Sequence, residues 1–285
     1  MGRMVRTFLL TFVLLVTSLQ ADEDVLRPQG KPEPLSVLSS RGIVHSPWAL
    51  GIELGGMLSF FGQDITQHQA PTYQSNLTSG SGIGPFLNLA IDYALTDALG
   101  IQARLGYEQV HYSMNGIYDA PCETPPGSGF FIPTRIERSS SQTIAYWTGG
   151  FALRYRTESE WIIQGGVTYH SRSNASFSTT DTITTVTCQF YDDFGSPIGQ
   201  RRTASSSNTS DFAAARWSLD VSVGYRIPLS ENVVFIPRLG GQLFLSPLAG
   251  DDVTSGFHPV LGQIYTFANR RLHALQLALG LWFNI

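Results

Sequence analysis

The chain has 285 residues and a formal net charge of −4, and only 14% of its residues are charged, about half the usual share for a soluble domain. An aromatic content of 12% excludes an intrinsically disordered chain, because disordered chains are poor in aromatic residues. The absence of stretches of about 20 apolar residues excludes a polytopic helical membrane protein, and the acidic balance, with a pI near 5.8, argues against nucleic acid as a partner.

Residues 1–21 have the pattern of a secretory signal peptide. Arg3 and Arg6 form a positive start, residues 7–16 (TFLLTFVLLV) are apolar, and Ala21 offers a small residue at the cleavage point. A buried N-terminal helix is the alternative. No Cys follows the apolar stretch, which excludes a lipoprotein anchor. Residues 22–46 are polar and proline-rich, so we predict a flexible periplasmic linker there and a folded domain over 47–285.

From Trp48 onward, apolar and polar residues alternate, which is typical of β-strands. The alternation is clearest in Leu275–Ile285, where every odd position is large and apolar. The other predicted strands cover 48–60, 83–95, 98–113, 142–156, 161–177, 211–227 and 232–246. Short connections alternate with long segments over 61–82, 114–141, 178–210 and 247–269.

Short connections at one end and long ones at the other are the plan of an outer-membrane up-and-down barrel. The sequence therefore predicts an all-β fold, an eight-stranded antiparallel transmembrane β-barrel with short periplasmic turns and long extracellular loops. A soluble β-sandwich is the alternative. Within 178–210, residues 182–191 and 198–206 could pair around Asp192–Gly195. We interpret them as a protruding extracellular hairpin rather than as two strands of a ten-stranded barrel, because they are too rich in Thr and Gln to face lipid.

Alternate residues of each predicted strand face opposite sides of the barrel wall, so odd and even positions separate the outer face from the inner face. The apolar set of positions carries Tyr and Trp near the strand ends, as interfacial aromatic girdles require. The opposite parity collects nine charged residues, which are Glu53, Asp92, Arg104, Glu108, Arg154, Arg216, Asp220, Arg226 and Arg238. An Arg at the lipid midplane costs about 2–4 kcal/mol, so we place these groups inside, paired with one another. Because eight strands leave room only for side chains, we predict an ion-paired plug rather than an open pore. A solvent-facing charge is the alternative for any single residue.

Two further sets of residues lie in the predicted loops. Cys122 and Cys188 are the only cysteines, and an exported chain meets an oxidising compartment, so a disulfide is allowed; two separate thiols are the alternative. The dibasic pairs Arg201–Arg202 and Arg270–Arg271 could clamp lipopolysaccharide phosphates, or could be solvated loop charges.

The signal peptide, the short-turn and long-loop alternation and the alternating last strand resemble the small outer-membrane β-barrels of the OmpA/OmpX-like class. The resemblance covers residues 48–285 and concerns architecture rather than a specific motif. It implies an integral protein of the bacterial outer membrane, surrounded by lipid and lipopolysaccharide, whose last strand is a signal to the barrel-assembly machinery. In that class the strand commonly ends in Phe, whereas this chain ends Trp282-Phe283-Asn284-Ile285.

The sequence shows few signs of a catalytic, nucleotide-binding or metal-binding site. No GxGxxG, P-loop, HExxH or CxxC motif occurs, and none of the six His has metal-ligand spacing to another, so we predict no cofactor and no metal. The stretch from His170 to Asn174 resembles the His-x-Ser-Asn segment of lipid A deacylases. However, His170 and Ser173 are three residues apart and lie on opposite strand faces unless a bulge intervenes.

We therefore predict a non-enzymatic barrel that anchors large extracellular loops, with a structural or surface-interaction role and an unknown extracellular ligand. A narrow pore or passive solute channel is the alternative, and a lipid A-modifying enzyme is a third hypothesis.

Overall fold

A computed structural model describes residues 47–69, 72–124, 127–192, 196–207, 212–248, 253–258 and 262–285, with the backbone alone for 253–258. The predicted signal peptide (1–21) and linker (22–46) lie outside the described residues and stay predictions. The regular elements of the described residues are all β-strands. They are β1 (Trp48–Gln67), β2 (Ser79–Ala94), β3 (Leu99–Glu123), β4 (Phe131–Arg156), β5 (Trp161–Ile183), β6 (Phe190–Tyr191), β7 (Pro197–Gly199), β8 (Arg201–Ser206), β9 (Ala215–Tyr225), β10 (Ile227–Pro228), β11 (Val233–Phe244), β12 (Val253–His258) and β13 (Gly262–Asn284).

Eight long strands close into a ring. Each pairs antiparallel with its neighbours in the order β1, β2, β3, β4, β5, β9, β11 and β13. The first and last strands meet along their length, with Leu50 opposite Phe283 and Leu54 opposite Leu279. Closure satisfies the backbone hydrogen bonds of every strand, which a strand in hydrocarbon requires. The predicted eight-stranded barrel is therefore confirmed.

The apolar wall faces outward, as parity predicts. Along β13 the odd residues Leu275 to Phe283 are exposed, while Ala278, Gly280 and Trp282 are buried. The other long strands also present large apolar side chains to the outside. Two girdles border this wall, seen as ring contacts between neighbouring strands. The ring pairs are Trp48–Tyr93 and Trp161–Tyr225 at the short-turn end, and Tyr107–Trp147 and Tyr169–Trp217 at the opposite end.

The strands are longer than their sequence pattern predicts. The segment 114–141, predicted as a loop, continues β3 and β4 as a registered hairpin up to the pair Glu123 and Phe131. Likewise β1, β5 and β13 extend into the predicted loops. The loop prediction rested on their Ser, Thr and Asn content, but Thr is favoured in strands, and a solvated strand carries no apolar alternation to reveal it. The long connections thus form a raised sheet, here called the extension, made of β3, β4 and β5 beyond the upper girdle together with β8.

A bulge in β5 sets the direction of the extension's side chains. Ala145 of β4 lies opposite Asn174, whereas Tyr146 lies opposite Arg172, so Ser173 is an extra residue in β5. Below the bulge the even residues of β5 face inward, and above it the odd residues do, including Asp181 and Ile183. Such a bulge shifts parity without breaking the ladder.

The predicted hairpin within 178–210 takes a different form. β6 and β7 make a short hairpin beside Asp192, while β8 leaves it and pairs with Phe177–Thr182 of β5. The segment therefore adds a strand to the extension and none to the membrane-spanning ring, as interpreted from its polar composition.

Candidate functional site

The lower half of the barrel interior is filled by ion pairs. Arg238 donates to Glu53 at 2.6 Å and to the side-chain oxygen of Gln164 at 2.7 Å, with both charged side chains about 95% buried. Closer to the short-turn end, Arg154 lies 2.5 Å from Asp92. Each pair joins strands that are not neighbours in sequence, because the inward parity of four strands converges on one narrow lumen.

Above these pairs runs a continuous hydrogen-bonded column. Arg104 pairs with Asp220, Ser218 donates to Asp220 at 2.9 Å, and His170 lies 2.8 Å from Ser218 through Nε2. The column ends where His170 Nδ1 approaches Glu108 Oε1 at 2.7 Å. The remaining cavity among Arg104, Asp220 and their neighbours has about 10 Å³, close to the space of a single water molecule. Side chains therefore occupy the lumen at these levels.

The column contains a Ser, His and carboxylate arrangement that resembles a hydrolytic triad. Ser218, His170 and Glu108 are 0%, 0% and 4% exposed, so a bulky substrate does not reach the Ser218 hydroxyl. Ser218 also bonds Asp220, which ties it into the column. His170 does not meet Ser173, whose hydroxyl donates to the Ala145 carbonyl on the wall. The geometry therefore favours a structural role for this set.

Two of the predicted interior charges differ from their expected surroundings. Arg226 lies at the short-turn end and pairs with Glu160 of the turn at 3.1 Å, where both side chains are partly exposed, instead of joining an interior carboxylate. Arg216 is fully buried but lies over the Phe244 ring at 4.0 Å and donates to the Ser246 carbonyl. Arg226 follows the last residue of β9, Tyr225, and so lies outside the barrel wall. Residue parity alone does not show where a strand ends.

An apolar cluster fills the upper half of the barrel, and sequence reasoning missed it. Phe61 and Tyr112 stack at 4.5 Å, and the Tyr112 hydroxyl donates to Gln142. Met57, Val110, Ile144, Tyr146 and Leu272 belong to the same cluster. These residues lie on the inward parity, but the prediction of an ion-paired plug rests on the charged residues of that parity alone. The plug is therefore ionic below and aromatic above.

A buried charge centre organises the extension. Asp181 is 3% exposed and accepts two hydrogen bonds from Arg138, at 2.7 and 2.8 Å, and one from Arg202 at 3.0 Å. Burial raises the pKa of the Asp181 carboxyl, but the bonds and charges of the two arginines outweigh it and hold that pKa below its usual range. The neighbouring Tyr118 hydroxyl also donates to Asp181, and burial raises the pKa of Tyr118 to about 12.

The two dibasic pairs do not form clamps, because adjacent residues of a strand point to opposite faces. Arg202 turns toward Asp181 and the Phe190 ring, while Arg201 lies exposed on the other face. Arg270 lines the barrel mouth beside Phe61 and Tyr112, whereas Arg271 is exposed on the outer wall.

The top of the extension is cross-linked. Cys122 of β3 and Cys188 form a disulfide with a Cα separation of 6.2 Å, and Cys188 packs with Ile136, Ile183 and Phe190. A second tie involves Tyr265 of β13, whose hydroxyl lies 2.7 Å from the Gln74 carbonyl and 2.9 Å from the Asp119 carbonyl. These contacts join connections that are far apart in sequence and so hold the extension as one ordered body.

Replacing both cysteines with serine is expected to loosen the segment 185–192 and leave the barrel folded. Cys188 and the small cluster around it hold this segment to the extension, whereas the barrel depends on its closed ladder. Limited proteolysis should show new cleavage within 185–192. The band that shifts on boiling, a sign of a closed barrel, should persist; its loss would contradict this division.

Among the described residues, no group of three or more His, Cys, Asp or Glu could hold a metal ion. The same residues contain no helix long and apolar enough to cross a membrane.

The closed ring, its apolar outer wall and its aromatic girdles define an integral β-barrel of the bacterial outer membrane. A family model described as the outer membrane protein beta-barrel domain matches residues 29–245, which is more than half of the 285 residues, and the chain belongs to that family. No curated protein matches the sequence.

Several solved barrels are similar at low identity. Ail, the attachment invasion locus protein of Yersinia pestis, is 11% identical and covers 82% of this chain and 98% of its own, with a TM-score of 0.30. Neisserial surface protein A is 11% identical, covers 84% and 98%, and has a TM-score of 0.31. OprG from Pseudomonas aeruginosa is 11% identical, covers 85% and 98%, and has a TM-score of 0.33.

Proposed function

We propose that this protein is a non-enzymatic outer-membrane anchor whose filled barrel holds the extension outside the cell for a structural or surface-interaction role. The observation that carries the proposal is the filled interior, in which Glu53–Arg238, Asp92–Arg154 and the column above them leave little space. A lumen filled with hydrogen-bonded ion pairs stiffens the barrel and leaves no path for solutes.

The extension supports the second half of this proposal. From Tyr107 at the upper girdle, β3 continues for sixteen residues to Glu123, or ~50 Å along the strand. The disulfide and the Asp181 centre stiffen it far from lipid. Exposed apolar side chains gather near its tip, with Phe130, Val186 and Ile198 among them. Such exposed apolar groups are typical of contact surfaces.

The partners follow from the same role. Outer-membrane lipid and lipopolysaccharide surround the wall, and β13, with its regular outward Leu and Phe residues, is the segment we expect the barrel-assembly machinery to bind. The extracellular ligand is expected to meet the tip of the extension.

Planar-bilayer recordings test the filled interior. The wild-type protein is expected to give no stable open channel, because the ion pairs close the lumen. The variant Arg238→Ala removes a side chain from the plug and should at most produce brief, small openings, while Arg226→Ala at the rim serves as the control. A large and stable conductance from wild-type protein would overturn the proposal and favour the channel alternative.

A further inference from the structure

The outer face of the extension, together with the adjoining end of β2, carries an ordered row of serine side chains. Ser81, Ser113, Ser141, Ser178 and Ser205 lie opposite one another across five strands, from β2 to β8. The next row away from the membrane holds Asn115, Ser139, Thr180 and Thr203. These two rows are here called the hydroxyl face. Neighbouring side chains stand ~5 Å apart across strands and ~7 Å apart along them, which gives a regular lattice of hydrogen-bonding groups.

The hydroxyl face contains no ionisable side chain, whereas the next row away from the membrane contains two. Glu137 and Arg201 occupy that outer row. Solvated sheet faces usually carry charged side chains, which keep them soluble and discourage pairing with other sheets. The hydroxyl face therefore carries no charge, and it is polar enough to need hydrogen-bonding partners. A neutral, polar and hydroxyl-rich partner fits this surface.

The height of the band above the lipid identifies that partner. Ser113 and Ser141 each lie six residues from the upper girdle, at Tyr107 and Trp147 respectively. With ~3.4 Å per residue and a strand tilt of roughly 40°, the serine row lies ~15 Å above the girdle. Strands β2 to β5 face hydrocarbon with the same wall below, and β8 joins them only in the extension. At this height the outer leaflet presents the sugars of lipopolysaccharide.

We propose that the hydroxyl face binds the neutral sugars of the lipopolysaccharide core as the upward continuation of the lipid-facing wall. Hydroxyl groups of Ser and Thr and the amide of Asn both donate and accept hydrogen bonds, as sugar hydroxyls do. The inference rests on the proposed anchoring role, which stands these strands upright in the outer leaflet. This proposal takes the place of the hypothesis that the dibasic pairs clamp lipopolysaccharide phosphates, because Arg202 contacts Asp181 and Arg270 lines the barrel mouth.

Binding of labelled lipopolysaccharide to the protein in phosphatidylcholine nanodiscs tests this surface. Two forms are compared, one with a complete core and one truncated to lipid A with its first acidic sugars. The test variant carries Ser113→Ala, Ser141→Ala, Ser178→Ala and Ser205→Ala. The control variant carries Thr66→Ala and Ser159→Ala, which remove exposed hydroxyls elsewhere. A gel shift on boiling verifies that each variant is folded.

Wild-type protein and the control variant should bind the complete form roughly ten-fold more tightly than the truncated form, as expected for several weak hydrogen bonds. The serine variant should lose that preference and keep its affinity for the truncated form. Equal binding of the two forms by wild-type protein would overturn the inference, and so would equally tight binding of free core oligosaccharide, which would indicate a site for a soluble glycan. Neither result changes the conductance, so the anchoring proposal is judged separately.

Discussion

Replacing Arg238 with methionine is expected to lower the free energy of unfolding by about 3–5 kcal/mol, the largest loss among single changes to the interior. Arg238 is the partner of Glu53, and both side chains are about 95% buried. Removing the guanidinium leaves the buried Glu53 carboxylate in a low-dielectric lumen without the cation that it contacts. Urea unfolding of protein folded into phosphatidylcholine vesicles measures the loss.

The double variant Glu53→Gln with Arg238→Met separates an unpaired charge from lost packing. Removing both charges should recover most of the loss, because the desolvation cost disappears with the pair. The control is Arg226→Met, whose partner Glu160 is partly exposed, so its loss should stay within about 1 kcal/mol. Similar losses for Arg238→Met and Arg226→Met would show that the interior pair does not hold the barrel together.

The membrane-spanning part of this fold could be predicted from sequence because two solvents act on it. Hydrocarbon outside and a narrow lumen inside force every second residue to be apolar, as along Leu275 to Phe283. The same constraint places Glu53, Arg104 and Asp220 inside. Their partners could not be predicted, since which strands face each other across the lumen depends on the stagger of the whole ring.

Above the upper girdle no hydrocarbon covers the strands, so the apolar alternation that predicts them is lost. The outer face of the extension meets water, and its inner face mixes apolar residues with polar groups such as Asp181, so β3 runs on to Glu123 without an alternating pattern that would mark it as a strand. The bulge at Ser173 also reverses parity there, and it brings Asp181 to the buried face, where Arg138 meets it. A one-residue irregularity of this kind leaves no mark in composition or periodicity.

The aromatic filling of the upper lumen shows a different limit. Phe61 and Tyr112 have inward parity, and the same residues in a lipid-facing wall would look identical in composition. Parity places Tyr112, which lies within the predicted strand 98–113, and Phe61, one residue past the predicted strand 48–60, on the inward face. Parity does not show that the filling of the lumen changes from ion pairs to aromatic rings along its length.

Leu54→Arg is expected to destabilise the folded barrel by about 2–4 kcal/mol, although Leu54 is 55% exposed and contacts no solvent-excluded core. Leu54 lies midway along the lipid-facing part of β1, paired with Leu87 and Leu279 of the same wall. On a water-soluble protein a change from Leu to Arg at such a position is nearly neutral. In hydrocarbon the guanidinium loses its hydration, so the cost appears only if lipid covers this wall.

Phe130→Arg is the matched control, because Phe130 is 64% exposed but lies in the turn between β3 and β4, far above the girdle. Urea unfolding in phosphatidylcholine vesicles should show a large loss for Leu54→Arg and less than about 0.5 kcal/mol for Phe130→Arg. If the two substitutions cost the same, the wall does not face hydrocarbon and water would have to cover it. In that case the register of Glu53 and Arg238 would need another cause, since lipid would no longer forbid charges on the outside.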